Sequence, residues 1–187
     1  MTSARVTPLG LPGVCLAHPP VHVDRRGTLS PWFEAPRDAA LGWPQVVQVN
    51  HVRSGPRVLR GLHWQVTRPQ AKVVRVLRGT ILDVVVDLDP ASATFRHHVR
   101  VTLTAEEDAQ LVVPAGYAHG YLVLSDEGAD VLYGLDAAYD PEGAAGVRWD
   151  DPALAIPWGI DEPVLSDADR TWPWTHAVDP KLWPTRR

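Results

Sequence analysis

The stretch from residue 57 to residue 79 carries the strongest chemical signal in the chain. It reads as two valine-rich strands that also contain Arg60, His63, Gln65 and Lys72. An imidazole titrates near neutral pH, so His63 is a candidate base, whereas a guanidinium and an ammonium attract negative charge. Charged side chains are uncommon on strands that otherwise look like core. The stretch therefore predicts either an anion-binding site or part of a metal centre.

A second motif, VPAGYAHG at 113–120, bears on that choice. Its PxGxxH form resembles the second motif of the cupin superfamily, whose metal-binding members take most of their ligands from an HxH…E motif on an earlier strand. The matching place here reads His63, a tryptophan and Gln65, and then Lys72, whose charge would oppose a metal ion. Three protein ligands are the usual minimum, and only His63 and His119 are evident. We therefore expect a metal-free cupin jelly roll.

Short strands would have to position these residues. Alternating apolar and polar side chains recur along the chain, Gly, Pro and Asp turns separate them, and helix signals are few. The strand patterns lie at 46–52, 58–65, 71–78, 81–89 and 94–104, twice within 110–125, and at 129–135. Residues 1–20 look irregular, and 104–107 fits a capping box of a short helical turn. Seven or eight strands predict an all-β antiparallel sandwich or barrel.

Length and composition limit the possible classes of protein. The 187 residues suit one domain, 1–187, whose Trp- and Pro-rich end at about 140–187 is expected to form an irregular, partly helical wrap. A net charge of −4 argues against a nucleic-acid partner. No apolar run approaches the roughly 20 residues of a membrane span, and the N-terminus lacks the apolar core of a signal peptide. The single Cys15 excludes an internal disulfide. We expect a cytoplasmic protein.

Six motifs are similar, in order and spacing, to those of the dTDP-4-dehydrorhamnose 3,5-epimerase family of cupins. The likeness extends over roughly residues 20–175. The motifs are VLRGLHWQ at 58–65, PQAKVVRVLRG at 69–79, VPAGYAHGYLVLSD at 113–126, VLYGLDAAYDP at 131–141, GVRWDDPALAIPW at 146–158 and LSDADR at 165–170.

This resemblance implies four catalytic residues. His63 would remove a proton next to the ketone of a 4-keto sugar, and Lys72 would stabilise the enolate that results. Tyr133 would deliver a proton to the opposite face, since a phenol is protonated at neutral pH. Asp169 would hydrogen-bond His63 and raise its basicity. Ser166 and Asp169 also form a capping-box pattern, which explains an acid at this position without catalysis.

The resemblance also implies seven substrate-binding residues. They are Arg26 and Arg60 near the diphosphate, Gln48 and Asn50 from one strand face, Tyr139 stacking on the thymine, and Gln65 and His119 in the rest of the site.

One of these assignments needs an irregular strand. Arg60 and His63 have opposite parity in a regular strand, so their side chains would point to opposite faces. Both can face the substrate only if Gly61 marks a bulge or a bend.

The chain departs from the family pattern at several positions. Pro31 replaces a glutamate that often contacts the nucleotide, and Ala168 replaces a lysine before the dyad aspartate. Glu142–Ala144 provides no clear match to a family acid, and Gly134 and Leu135 replace polar residues. These changes bear on nucleotide preference more than on acid–base chemistry.

The function implied is the 3,5-epimerisation of dTDP-4-dehydro-6-deoxy-D-glucose to dTDP-4-dehydro-L-rhamnose, without a cofactor. The family also implies a homodimer with exchanged N-terminal strands. Three alternatives stay open. They are a mono-epimerase of a related dTDP-4-keto-deoxysugar, a non-catalytic sugar-nucleotide-binding cupin, and a metal-dependent cupin oxygenase, which the missing ligands disfavour.

Overall fold

The computed structural model describes residues 5–186, and strands dominate this part of the chain. Its strands are β1 Arg5–Pro8, β2 Cys15–His18, β3 His22–Asp24, β4 Gly27–Leu29, β5 Gln48–Ser54, β6 Leu59–Gln65, β7 Lys72–Arg78, β8 Thr80–Val86, β9 His98–Thr104, β10 Gln110–Val113, β11 Ala118–Val123, β12 Ala129–Leu135 and β13 Ala144–Gly146. Its α-helices are α1 Ala35–Ala40 and α2 Asp167–Thr171. Short 3-10 turns lie at Ala105–Glu107, Pro141–Gly143, Thr175–Ala177 and Pro180–Leu182. None of these helices is long and apolar enough to cross a membrane.

The strands form two antiparallel sheets and a separate hairpin. The six-stranded sheet has the order β1-β2-β10-β7-β12-β5, and the five-stranded sheet has the order β13-β6-β11-β8-β9. The hairpin pairs β3 with β4, and all its residues are exposed. The prediction of an all-β antiparallel sandwich is therefore confirmed.

The main core lies between the two sheets, and a second apolar layer covers the outside of the five-stranded sheet. Ile81 and Val85 of β8 belong to the main core, whereas Leu82 and Val84 belong to the outer layer. The chain after β13 supplies the cover of that layer, including the buried Trp158. Strand β8 is thus buried on both faces, which explains why its sequence is almost continuously apolar.

Several local predictions need correction. Residues 1–20 were expected to be irregular, but β1 and β2 pair with each other, and residues 1–4 lie outside the described part. Thr104 takes the N-cap position of a 3-10 turn, but its side chain makes no capping bond. The strand expected at 94–104 begins only at His98, because the Asp87 carboxylate holds the preceding loop through Ser92 and Thr94. The irregular C-terminal wrap, with its short helical turns, is confirmed.

A bulge at Gly61 interrupts the pairing of β6 with β11. His119 pairs with His63 but Tyr121 pairs with Arg60, so one extra residue is inserted in β6. Gly61 has a φ of 129°, and a Cβ there would lie 2.6 Å from the Cα of Gly120. Only glycine fits this close approach in that conformation. The predicted bulge is confirmed, and it turns the side chains of Arg60 and His63 to the same side.

Candidate active site

A cavity of about 330 Å³ opens between the two sheets. The five-stranded sheet contributes side chains from β6 and β11, and the six-stranded sheet contributes side chains from β5, β7 and β12. Helix α2 closes one side. The chemically active side chains in its wall are Arg60, His63, Lys72, His119, Tyr133 and Asp169.

His63 and Asp169 form a hydrogen-bonded pair in this wall. The Nε2 atom of His63 lies 2.5 Å from Oδ1 of Asp169, which is buried. Burial alone would raise the pKa of the Asp169 carboxyl, but the hydrogen bond and charge of His63 and the bond from Ser166 lower it. An ionised carboxylate only accepts hydrogen bonds, so Nε2 carries the proton and Nδ1 presents a lone pair. With a lone pair on Nδ1, the His63 ring has the form that can accept a proton.

The start of helix α2 fixes the position of the Asp169 carboxylate. Ser166 is the N-cap residue, and its Oγ accepts from the backbone N–H of Asp169 at 3.1 Å. The same hydroxyl donates to Oδ2 of Asp169 at 2.7 Å, which leaves Oδ1 for His63. The capping pattern and the dyad are therefore both present, and the cap holds the acid against the histidine.

Lys72 and His119 lie beside this pair, near the buried carboxylate of Asp83. Lys72 is partly buried and lines the cavity. Burial lowers its pKa to about 8, although the charge of Asp83 opposes that fall. Nε2 of His119 is 2.7 Å from Oδ1 of Asp83. Burial lowers the pKa of His119 as well, and the charge of Lys72 adds to this effect. An ammonium at this place can stabilise negative charge on a bound oxygen.

Tyr133 lies on the other sheet from His63. It belongs to β12, where it pairs with Asn50 of β5 and Val74 of β7, and it is half-buried at the cavity. A flat substrate between the sheets would have the imidazole on one face and the phenol on the other. The cavity can therefore remove a proton from one face of a carbon and return one to the opposite face.

The side chains predicted to bind substrate are braced by hydrogen bonds. Arg60 donates from Nε to Oγ of Ser54 at 3.1 Å, and that hydroxyl is 3.1 Å from the phenol oxygen of Tyr121. Gln48 donates to the side-chain oxygen of Asn50 at 3.0 Å, so these residues do share one face. The Gln48 oxygen in turn accepts from the backbone N–H of Tyr139 at 3.0 Å.

The cavity brings together all but two of the predicted site residues. Asn50, Arg60, His63, Gln65, Lys72, His119, Tyr133, Tyr139 and Asp169 line it. Gln48 does not line it but braces Asn50 and Tyr139. Arg26 lies on the exposed β3–β4 hairpin, where its guanidinium bonds Asp24 and its side chain is 83% exposed. The structure does not bring Arg26 to the cavity of its own chain.

Sequence reasoning missed Asp83, Tyr121 and Trp172. Tyr121 and Trp172 line the cavity, and the Trp172 ring lies edge-on to His63 at 6.0 Å between centroids. Asp83 is a fully buried acid in the apolar run ILDVVV. A charged residue on a strand that looks like core is the same kind of signal that pointed to Lys72, and it could have identified Asp83. Ala168 also lines the cavity, so this chain has an apolar side chain in the wall at the place where the family often has a lysine. Within the described part of the chain, no group of three or more His, Cys, Asp or Glu is arranged to hold a metal ion.

Comparison with known proteins gives consistent results. The sequence matches the family model described as dTDP-4-dehydrorhamnose 3,5-epimerase over residues 8–176. A curated relative of that name from Pseudomonas aeruginosa is 42% identical over 169 residues, which covers 89% of this chain and 93% of the relative.

Two solved structures extend this similarity to the fold. A dTDP-6-deoxy-D-glucose-3,5-epimerase from Legionella pneumophila Philadelphia 1, in complex with dTDP-4-keto-L-rhamnose, has a TM-score of 0.93 at 36% identity, covering 98% of this chain and 99% of its own. A double mutant of ChmJ, a 3′-monoepimerase from Streptomyces bikiniensis, has a TM-score of 0.86 at 34% identity, covering 95% of this chain and 92% of its own. The prediction of a cupin-type fold is confirmed by these similarities.

Proposed function

The chain belongs to the dTDP-4-dehydrorhamnose 3,5-epimerase family, and we propose that it converts dTDP-4-dehydro-6-deoxy-D-glucose into dTDP-4-dehydro-L-rhamnose. It is an isomerase of nucleotide-linked 4-keto sugars. The observation that carries the assignment of roles is the placement of a His–Asp pair and a tyrosine on opposite walls of one cavity. Inversion of a carbon requires such an arrangement, because the proton leaves from one face and returns to the other.

The reaction can be followed atom by atom. The C–H bonds at carbons 3 and 5 are acidic because both carbons adjoin the ketone. Nδ1 of His63 takes the proton, and the C–H electron pair moves into the ring to place negative charge on the ketone oxygen. The Lys72 ammonium stabilises that enolate. Tyr133 then donates its proton to the opposite face, and solvent restores the phenol and removes the proton from His63.

Isotope exchange tests this function. The purified protein is incubated with dTDP-4-dehydro-6-deoxy-D-glucose in heavy water, and deuterium at carbons 3 and 5 is counted by NMR. The proposal expects deuterium at both carbons and the L-rhamno configuration after chemical reduction. It also expects that His63→Ala abolishes exchange while dTDP still binds. Absence of exchange at both carbons would exclude the proposed reaction.

A mono-epimerase is the second candidate. The similarity to ChmJ shows that the same fold, at 34% identity, also supports a 3′-monoepimerase. The catalytic groups proposed here are compatible with either outcome, since one base and one acid suffice for each carbon. Deuterium at a single carbon in the same experiment would favour this candidate.

The protein is also proposed to act as a homodimer that exchanges its β3–β4 hairpins. In the hairpin, Val23 is 75% and Leu29 is 64% exposed, and Val49 on the edge strand β5 is 49% exposed. Apolar side chains on a free hairpin and on a sheet edge favour cover by a partner. In such a dimer Arg26 would reach the partner's cavity and supply a cation for the diphosphate.

Sedimentation tests the dimer. A monomeric wild-type protein at micromolar concentration would contradict it. Val23→Asp is expected to shift the protein towards monomer and to raise the KM for the nucleotide sugar. Leu182→Asp, at an exposed position far from the hairpin in sequence, serves as the control. A cytoplasmic location stays a prediction.

A further inference from the structure

We infer that Asp83 is a positioning residue that sets Lys72 as a charged hydrogen-bond donor and His119 as a neutral hydrogen-bond acceptor towards the sugar. The inference rests on the proposed function and concerns the same cavity. Asp83 does not line the cavity but lies behind it, so it would act through the two side chains that do.

The burial of Asp83 is the first observation. It is at the middle of β8, opposite Tyr121 of β11 and Val101 of β9, and its side chain is 0% exposed. Its Oδ1 pairs with His119, while its Oδ2 is buried without a hydrogen-bond partner in the described part of the chain. A carboxylate that is buried and only half satisfied is costly to the fold. Such a cost indicates a role other than stability.

The hydrogen bond to His119 sets the tautomer of that ring. An ionised carboxylate accepts, so Nε2 of His119 must carry the proton that lies between them. Burial, the largest effect, and the charge of Lys72 lower the pKa of His119, whereas the charge and hydrogen bond of Asp83 raise it. The net shift is downward, which favours a neutral ring at neutral pH, and the contribution of Asp83 is to fix which nitrogen carries the proton. Its Nδ1 then has a lone pair and can accept a hydrogen bond from a sugar hydroxyl.

The charge of Asp83 has a second effect, on Lys72. Burial lowers the pKa of this ammonium to about 8, and Asp83 is the group that raises it. Without that negative charge the pKa would fall further, and a large share of Lys72 would be neutral at pH 7. A neutral amine gives much less stabilisation to an enolate oxygen than an ammonium does.

The remaining charged and titratable groups of the cavity do not replace Asp83. The cavity wall also contains Arg60 and His63 from β6, Tyr121 from β11, Tyr133 from β12, Asp169 from α2, and Tyr139 from the segment after β12. Arg60 and a protonated His63 would oppose the charge on Lys72. Asp169 is the only acid among the residues that line the cavity, and it is already bonded to His63.

Together these effects present a cation and a neutral acceptor side by side. A ketone oxygen needs a donor, and the hydroxyl on the adjacent carbon can donate to an acceptor. The pair therefore fits an α-hydroxy ketone, the chemical group that a hexose with a 4-ketone and a free 3-hydroxyl carries. Asp83 would make the cavity selective for that group.

The pH dependence of the Asp83→Asn variant tests the inference. In the wild type, kcat is expected to fall above about pH 8 as Lys72 loses its proton. In Asp83→Asn this alkaline limb should move down by roughly one pH unit or more. At pH 7.5 kcat should fall about tenfold or more, with KM changed less than about threefold. Asp130→Asn, which removes an acid paired with Arg78 on the surface, is the control and should leave the profile unchanged.

Two results would overturn the inference. One is an Asp83→Asn protein that binds dTDP and keeps the wild-type alkaline limb. The other comes from the wild type itself, labelled with 15N-histidine, and does not depend on how the variant folds. The inference expects His119 to be neutral with its proton on Nε2 from pH 6 to pH 8, and any other state contradicts it. If the wild type catalyses no exchange, the proposed function fails, while the NMR result still decides the state of His119.

Discussion

Replacement of Asp169 separates its two roles, as the partner of His63 and as part of the α2 cap. In Asp169→Asn the side-chain oxygen can still accept from His63, and the amide can donate to Ser166, so both contacts persist without the charge. A charge-assisted hydrogen bond contributes roughly 1–2 kcal/mol more than a neutral one. At about 1.4 kcal/mol per factor of ten, the exchange rate should fall roughly 5- to 30-fold. Thermal stability should change little.

The matched variant Ser166→Ala should give the opposite pattern. It removes the hydroxyl that caps α2, which costs about 1 kcal/mol of unfolding free energy. The hydrogen bond of 2.5 Å between His63 and Asp169 is retained, so the exchange rate should fall less than that of Asp169→Asn. Both variants are assayed by initial rates of solvent deuterium incorporation and by denaturant unfolding. If Asp169→Asn lost as much unfolding free energy as activation free energy, the dyad would be refuted and Asp169 would be a purely structural acid.

Three further predictions concern the Lys72 cation of the enolate site, the bulge at Gly61 and the proposed acid Tyr133. Lys72→Gln should lower kcat by roughly a hundredfold and remove the fall in activity above pH 8; an alkaline limb that persists would show that another group causes it. Gly61→Ala should lower the free energy of unfolding by about 2 kcal/mol or more and abolish activity, because its Cβ would lie 2.6 Å from the Cα of Gly120. Gly55→Ala, which has open space around its Cβ, is the control and should leave the free energy of unfolding in urea almost unchanged. Tyr133→Phe should still exchange deuterium through His63 but form little inverted product, and normal inversion, measured by NMR of the reduced sugar, would exclude the phenol as the acid.

The central strands could be predicted from sequence, but the N-terminal elements could not. Strands β6 to β8 each have seven residues, and β7 and β8 are rich in valine, so their patterns gave bounds close to those observed. Strand β1 is short and exposed along its whole length, so its sequence, RVTP, has no alternation to detect. Helix α1 was also missed, since six residues that include a proline give a weak helical period.

The site was predictable to different degrees for similar physical reasons. His63, Lys72 and Tyr133 stood out through motifs, and the need for a bulge followed from the parity of Arg60 and His63 alone. The supporting contacts of Ser54, Tyr121 and Asp83 could not be predicted, because they depend on which strands become neighbours. Strand β11 lies between β6 and β8, and only this order brings His119 against His63 on one side and near Asp83 on the other.

The geometry also constrains how one base can serve two carbons. His63 is held by Asp169 on one wall and Tyr133 by β12 on the other, so in the proposed mechanism the base and the acid have little freedom to move between carbons 3 and 5. The sugar must therefore reorient between two proton transfers while the nucleotide stays bound. It follows that the number of carbons inverted depends on the walls that limit sugar rotation, including Ala168 and Trp172, more than on the identity of the base. Enlarging Ala168 should consequently change the ratio of deuterium at the two carbons before it changes the exchange rate at the faster one, and an equal loss at both carbons would contradict this reasoning.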